Sequence, residues 1–586
     1  MVALTTFFVS KMCYSATMTI AEKLKNSISQ ALENLGIQGV SFVLEHPTDL
    51  AHGDYATNAA LVVSKPFGKN PHEIAEIIVN EIKNQNIPEI ETIKIAGPGF
   101  INFTLTSGFF SGTLQEIITS QDNFGKLEIN NDKKVLVEHS SPNLFKPFHI
   151  GHMMNNAIGE SLVRLMQVSG AEVTTISFPS DISLGIAKAI WHFLEIGGMD
   201  FLKSDQFENN KMNWLGQAYV EGTKRYNEDE SIHPRVKEIA DNLYGNIVSP
   251  ELEIFNVCKK LNIDYFEEVV GKLGSHFDAY VYESEAGEVG KKIVLENTPK
   301  VFTESEGAIV YIPDESKKNI NTAVFINSQG NPTYEAKDLG LLSIKFDKYK
   351  PDYSLFITDH EQIPHFNVVL DAAEKINKNW EEKSVHVPHG RMSFKGQKMS
   401  SRLGGVPLAV DMIDAVSEEV TERAKDRELD QSIKDAIAIG AIKFAILRAK
   451  PGMNINFDPE TSLSFEGDSG PYLQYTHARI QTLLDKGLEQ NIAAEIKIGN
   501  SISDIEKLLY RFPEVVESAV SEYAPNYIVT YLLEIARSFN SFYGANKIID
   551  IENPEISSHR LGVARATQMV IKNGLQLLGI NAPDKM

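Results

Sequence analysis

His149 and His152 bracket Ile150 and Gly151, just after the apolar run Val135-Leu136-Val137 and a polar loop. A helix-like pattern follows from Met153 to Met166. Strand, loop and helix start in that order make an anion site. The first backbone N–H groups of a helix lack intrahelical partners, and its dipole favours a phosphate. At i and i+3 the two imidazoles share one face of the first turn, and Gly151 leaves room for a flat ring to approach the backbone. The chemistry suggested is nucleotide activation. An ordinary helix start with solvated histidines is the blander reading. Zinc is the weaker one, because two His supply half a tetrahedral shell.

A second phosphate-handling candidate is Gln397-Lys398-Met399-Ser400-Ser401-Arg402-Leu403-Gly404-Gly405. A Lys and two hydroxyls beside glycines suit a loop that meets charge developing on a transferring phosphoryl group. Taken alone, such a loop is also a common solvated turn.

These residues need a scaffold, and the chain supplies a legible one. Residues 133–180 and 320–410 alternate strand-like and helix-like stretches, as in a parallel nucleotide-binding sheet. Between them, about 195–318, the chain is more helical and more charged and reads as an insertion. Residues 18–125 carry amphipathic helices (Ile20, Leu24, Ile28, Leu32 and Leu35; then Ile74, Ile77, Ile78 and Ile82) interleaved with short β-branched runs. They read as a small α+β domain, with a catalytic domain over 126–410 and a helical domain over 411–586. Residues 1–17 read as a leader from an upstream start, with Met18 the working initiator. They lack the basic start and long apolar core of a signal peptide.

A chain of 586 residues exceeds one core. Cys13 and Cys258 are its only cysteines, which excludes a disulfide framework and fits a reducing cytoplasm. No run reaches the length of a membrane span. The net charge of −22 argues against a simple nucleic-acid coat protein, yet leaves room for a local basic surface.

Together, the His149–His152 quartet and the Lys398 loop resemble the paired signatures of class I aminoacyl-tRNA synthetases. Accessory runs narrow the resemblance to the arginyl-tRNA synthetase family: Gly53-Asp54-Tyr55-Ala56-Thr57-Asn58, Gly97-Pro98-Gly99-Phe100-Ile101-Asn102, Ser140-Ser141-Pro142-Asn143 and Tyr334-Glu335-Ala336-Lys337-Asp338-Leu339 with the following Gln362. Phe465-Glu466-Gly467, Gly470-Pro471-Tyr472-Leu473-Gln474-Tyr475 and the ending Ala582-Pro583-Asp584-Lys585-Met586 continue it. The resemblance covers nearly the whole chain from Met18.

It implies a multidomain fold: a Rossmann-like α/β catalytic domain with an insertion, a small α+β N-terminal domain that touches the tRNA elbow, and an all-α C-terminal anticodon-binding bundle. It implies ATP-dependent ligation of L-arginine to tRNA(Arg) through arginyl-adenylate, with Mg2+, in a cytoplasmic monomer that does not enter membranes. Lys146, His149, His152 and Lys398 would be catalytic, and Gly151, Met399 and Ser400 would help bind ATP. Glu138, Asn143, Tyr334, Asp338 and Gln362 would surround the arginine. A guanidinium is a planar fork that best meets carboxylates, and Asp338 is the leading partner. Tyr475, Arg479 and Met586 would touch tRNA. A small-molecule nucleotidyltransferase, or another class I synthetase, is the alternative.

Three departures from the family pattern stand out. Ser401 occupies the place of the usual second Lys of the loop, a loss that arginyl enzymes commonly share, and Lys146 is the nearest cation able to replace it. Ser180-Asp181-Ile182-Ser183-Leu184-Gly185 is shorter than the usual loop there. Lys337 stands where Arg is more usual.

Overall fold

The structure is a computed structural model that describes residues 18–317, 319–394, 408–423, 429–497 and 502–586. Lys398, Met399, Ser400 and Ser401, and the stretch read as a leader, lie outside the described residues. The chain divides into two compact units: residues 1–119, 493–510 and 542–563, and residues 120–492, 511–541 and 564–586.

In the first unit, Thr19 caps the helix Ile20–Asn34 and exchanges hydrogen bonds with Glu22, so two orphan N–H groups are satisfied reciprocally. Asn70 caps the helix Pro71–Asn84, which has Pro in its first turn. Leu24, Ile28, Ile74 and Ile78 bury one face of each helix with Ile101, Phe103 and Leu105 of a four-stranded antiparallel sheet. The hairpin joining Ile90–Ala96 to Phe100–Leu105 turns at Gly97 and Gly99, both at positive φ.

The second unit is built on a five-stranded sheet. Its strands are β1 (Lys134–Glu138), β2 (Glu172–Ser177), β3 (Ala279–Tyr280), β4 (Tyr353–Asp359) and β5 (Ser384–His389). The spatial order is β5-β4-β1-β2-β3, and every pairing is parallel. Val135, Leu136 and Val137 are all buried, as expected of a strand covered on both faces. Helix α1 (Ile150–Val168) follows β1, which sets its N-terminus over the carboxyl end of the sheet, where α/β folds bind ligands.

Three more helices complete the frame: α2 (Glu283–Glu296), α3 (Tyr334–Ile344) and α4 (Ile363–Ile376). Helices α2 and α3 cross closely at Gly290 and Gly340, where an added Cβ would run into the carbonyl oxygens of Ala336 and Ala286. Strand β3 and Glu283 both fall inside 195–318, the span whose sequence reads as inserted. A two-residue strand is too short to show alternation, so the return to the sheet is invisible in the sequence.

Helix α5 (Gln431–Leu447) packs on α1, and α1, α5 and α6 (Gly470–Glu489) all bond the end of α7 (Pro554–Leu577) or the chain just after it. The last carbonyls of a helix have no intrahelical donor. Here Ser161 Oγ and Arg164 Nη1 of α1 donate to Leu577 O and Gln576 O, each at 2.9 Å. The Lys443 ammonium donates to Gly579 O at 2.9 Å and Gln474 Nε2 to Asn581 O at 2.8 Å. Burial pushes Lys443 down to about 8, against the pull of Glu160.

Candidate active site

The N-terminus of α1 caps itself with its own histidines. His149 Nδ1 accepts from the Gly151 N–H at 3.1 Å, and His152 Nδ1 accepts from the His149 N–H at 3.3 Å. The rings stack with centroids 3.8 Å apart and planes 15° from parallel. Since both Nδ1 atoms accept, the proton of each neutral ring resides on Nε2, leaving one donor per ring. Burial and then the Lys146 charge lower His149; burial, then His149 and Lys146, push His152 well below the ordinary value. Near neutral pH the pair offers two hydrogen bonds and no charge.

Gly151 has a role beyond the one its sequence position suggests. A Cβ there would lie 3.0 Å from Cε1 of His149, so the flat ring it accommodates in this structure is that imidazole. On the far side, the Ala409 N–H donates to Phe148 O at 2.9 Å and Leu408 bridges His149. Position 408, the first described residue after 394, therefore lies against the α1 N-terminus.

The β1–α1 loop carries Ser140 and Phe145 at φ 54° and 65°. For L-residues this region costs roughly 1–2 kcal/mol each, so neighbouring bonds must hold it. Asn155 of α1 accepts from the Ser140 N–H at 2.7 Å and donates to Ile357 O at 2.6 Å. The Phe145 N–H donates to Asn262 at 3.1 Å. The loop leaves Asn143 exposed on the cleft, while the Lys146 ammonium stands 4.9 Å from the Tyr219 ring centroid rather than among the lining residues.

That cleft has a volume of about 540 Å³ and joins His149, Gly151 and His152 to Glu138, Asn143, Tyr334, Asp338 and Gln362. The end away from α1 is rich in ion pairs. Glu138, at the end of β1, is buried against the equally buried Lys345. Asp338 Oδ2 meets His365 Nε2 at 2.6 Å. Glu283 meets Lys337 at 2.7 Å. Burial raises the Glu283 carboxyl, with Lys337 opposing. Tyr334 opens α3 and is 61% exposed, and Gln362 lies exposed before α4.

Glu283, Lys345 and His365 are additions that the sequence reading did not make. Glu283 is paired across 54 residues and His365 across 27, separations that leave no periodic signal. In the loop Ser180–Gly185, Asp181 is buried and accepts from Lys259 at 2.7 Å and from Ser284 N and Oγ at 2.9 and 2.8 Å. It braces the first turn of α2, which carries Glu283.

The three residues expected to touch tRNA do not line this cleft. Tyr475 packs edge-on to Phe465 with centroids 6.2 Å apart, and Arg479 reaches Asn540 at 3.4 Å. Met586 is half-buried at the chain end. Tyr472 and Tyr531 in the same C-terminal region are buried. Among the described residues, no group of three or more His, Cys, Asp or Glu could hold a metal ion.

Comparison with known proteins agrees with this geometry. The family described as tRNA synthetases class I (R), catalytic domain, matches residues 113–458. The arginyl tRNA synthetase N terminal domain matches 22–105, and the DALR anticodon binding domain 473–586. A parallel sheet with a histidine-capped helix over its carboxyl edge, inside that match, defines the catalytic unit of a class I aminoacyl-tRNA synthetase. Arginine--tRNA ligases from Clostridium perfringens and Oenococcus oeni are 29% and 30% identical, each alignment covering 97% of this chain and 99% and 100% of the relative. The chain belongs to the arginyl-tRNA synthetase family. Its fold is also that of the Thermus thermophilus arginyl-tRNA synthetase (TM-score 0.80, 24% identity, 97% of this chain and 100% of that one). The Plasmodium falciparum structure gives TM-score 0.79 at 20% identity over 97% and 99%.

Proposed function

We propose that this chain ligates L-arginine to tRNA(Arg) at the expense of ATP, releasing AMP and diphosphate. The observation that carries this is one cleft with neutral phosphate-facing donors at a helix N-terminus and three carboxylates, Glu138, Glu283 and Asp338, at its other end. The arginine carboxylate oxygen attacks the α-phosphorus of ATP, and the bond to the bridging oxygen breaks as diphosphate leaves. The 2′-hydroxyl of the terminal tRNA ribose then attacks the adenylate carbonyl, AMP leaves, and the hydroxyl proton passes to solvent. Positioning and electrostatics supply the catalysis.

Asp338 and Glu283 would face the guanidinium, with the Tyr334 ring beside it. Glu138, Asn143 and Gln362 would hold the α-amino and carboxylate groups. His149 and His152 would hydrogen-bond phosphate oxygens through Nε2, with Gly151 on the adenine side. Lys146 and Lys398 would supply the cationic charge that the histidines lack, and Met399 and Ser400 would complete the ATP site. Mg2+ fits as a partner of the triphosphate, because hard cations prefer oxygen ligands and keep several waters. It would arrive as part of the MgATP substrate.

Tyr475, Arg479 and Met586 would meet the anticodon arm, within domains bounded near residues 125 and 410. On this reading the chain acts as a monomer. Among the described residues no helix is long and apolar enough to cross a membrane, and a cytoplasmic setting suits the two-cysteine composition. The test is arginine-dependent charging of tRNA(Arg) by the full chain. Arginyl-tRNA should accumulate only with all three substrates. Nucleotide transfer that ignores tRNA would point to a small-molecule nucleotidyltransferase instead.

A further inference from the structure

Asp338, the leading partner for a guanidinium, already has a cation. His365 sits three residues beyond Gln362 on α4 and reaches across to α3, placing Nε2 2.6 Å from Asp338 and Nδ1 3.6 Å from Glu335. Both ring nitrogens thus face carboxylates, the arrangement of an imidazolium rather than of a neutral ring. The pair lines the cleft and is largely sheltered, His365 being 23% and Asp338 15% exposed.

We propose that His365 is a positioning and specificity residue of the arginine subsite, an imidazolium that orients Asp338 and yields its proton when a guanidinium takes over that carboxylate. This rests on the arginine reading given above. A guanidinium is permanently charged and brings a rigid fork of donors, so it can replace His365 without leaving the carboxylate unpaired. A neutral ureido analogue has the fork but no charge and cannot. An ammonium has the charge but not the planar pair of donors.

The surroundings fit this exchange. Burial lowers the His365 pKa, but the Asp338 hydrogen bond and then Glu335 outweigh it and raise it to about 9. From β5, His386 lies close but is itself neutral, lowered to about 4 by burial, His389 and His365. Phe366, next on α4, meets the ring edge-on at 5.1 Å and adds no charge. Tyr334 lines the same cleft with its ring, and Glu283 on α2 is paired with Lys337. Once arginine holds Asp338, His365 loses its nearest partner and gains a cation beside it. Its pKa must fall toward the ordinary value near 6.5.

Between these two values arginine binding expels a proton. Below the higher value a proton must leave before arginine can bind fully, so affinity rises with pH, by up to roughly tenfold per unit. Calorimetry of arginine binding to the full chain, at about pH 8 in two buffers of different ionisation enthalpy, counts the proton directly. The wild type should release a substantial fraction of one proton, and His365→Asn none. The Kd of the variant should be flat from about pH 7 to 8.5, and its preference for arginine over a ureido analogue should narrow. Arginine binding with no proton released by the wild type overturns the inference and leaves the arginine reading standing. No arginine binding at all overturns both. The wild-type measurement needs no variant, so a misfolded His365→Asn protects nothing.

Discussion

At the α1 end of the cleft, two stacked imidazoles are held neutral and satisfy their own helix terminus. At the α3 end, Glu138–Lys345, Glu283–Lys337 and Asp338–His365 place six ionisable side chains in three pairs. The contrast matches what the proposed function asks of each end. A triphosphate brings its own charge, so hydrogen-bond donors that do not titrate suit it, with Lys146 and Lys398 as the proposed cations. Arginine brings a cation that must be desolvated, and a buried carboxylate left unpaired before binding would cost several kcal/mol. Resident cations pair with those carboxylates and hold them aimed.

Breaking the charged end should have the largest effect. Asp338→Asn removes the charge on which the guanidinium depends. Truncating one partner of a buried charge pair costs about 2–5 kcal/mol, so kcat/KM for arginine should fall by roughly 10²-fold or more, chiefly through KM. Steady-state charging kinetics across arginine concentrations read this directly. An unchanged arginine KM would remove Asp338 from the subsite.

The neutral end should break differently. Lys146→Ala should slow adenylate formation by roughly 10²-fold, in the range of other lost electrostatic stabilisers, while arginine binding changes little. Unchanged single-turnover rates would refute that role for Lys146. A smaller loss is expected from Glu283→Gln, which leaves the Lys337 ammonium buried without its counter-charge. Unfolding by urea should show destabilisation of about 3 kcal/mol, with arginine KM raised and ATP KM untouched. A variant as stable as the wild type would mean that Lys337 finds another partner.

Sharpening the comparison needs only pH. His149 and His152 lie below the ordinary histidine value, so both are already neutral above about pH 7. The KM for ATP should stay within about twofold from pH 7 to 8.5, whereas arginine affinity rises over the same window. The smallest effect is expected at the back of α1. Ser161→Ala removes one hydrogen bond to Leu577 O and should cost about 1 kcal/mol in unfolding experiments.

The legible parts of this protein are the local ones. The β1–loop–α1 unit announced itself because an apolar run, a polar loop and an i, i+3 histidine pair are adjacent in the chain. Tyr334 and Asp338 likewise share a helix face. The parallel sheet was readable from alternating strand and helix patterns, except for β3, whose two residues carry no pattern. The ion pairs were not readable. Glu138 pairs with Lys345 from a distant part of the chain, and Glu283 lies in a stretch whose helical, charged composition reads as an insertion. Charge pairing across the fold depends on close helix crossings such as Gly290 on Gly340, and spacing along one chain does not encode it.

The most direct test of the division between the two ends is single-turnover charging of tRNA(Arg) by Asp338→Asn, with MgATP fixed and arginine raised to saturation. The predicted result is a rate that climbs back to near the wild-type value at saturating arginine, with ATP dependence unaltered. A rate that stays depressed at saturating arginine, or an equal loss on the ATP side, would contradict it.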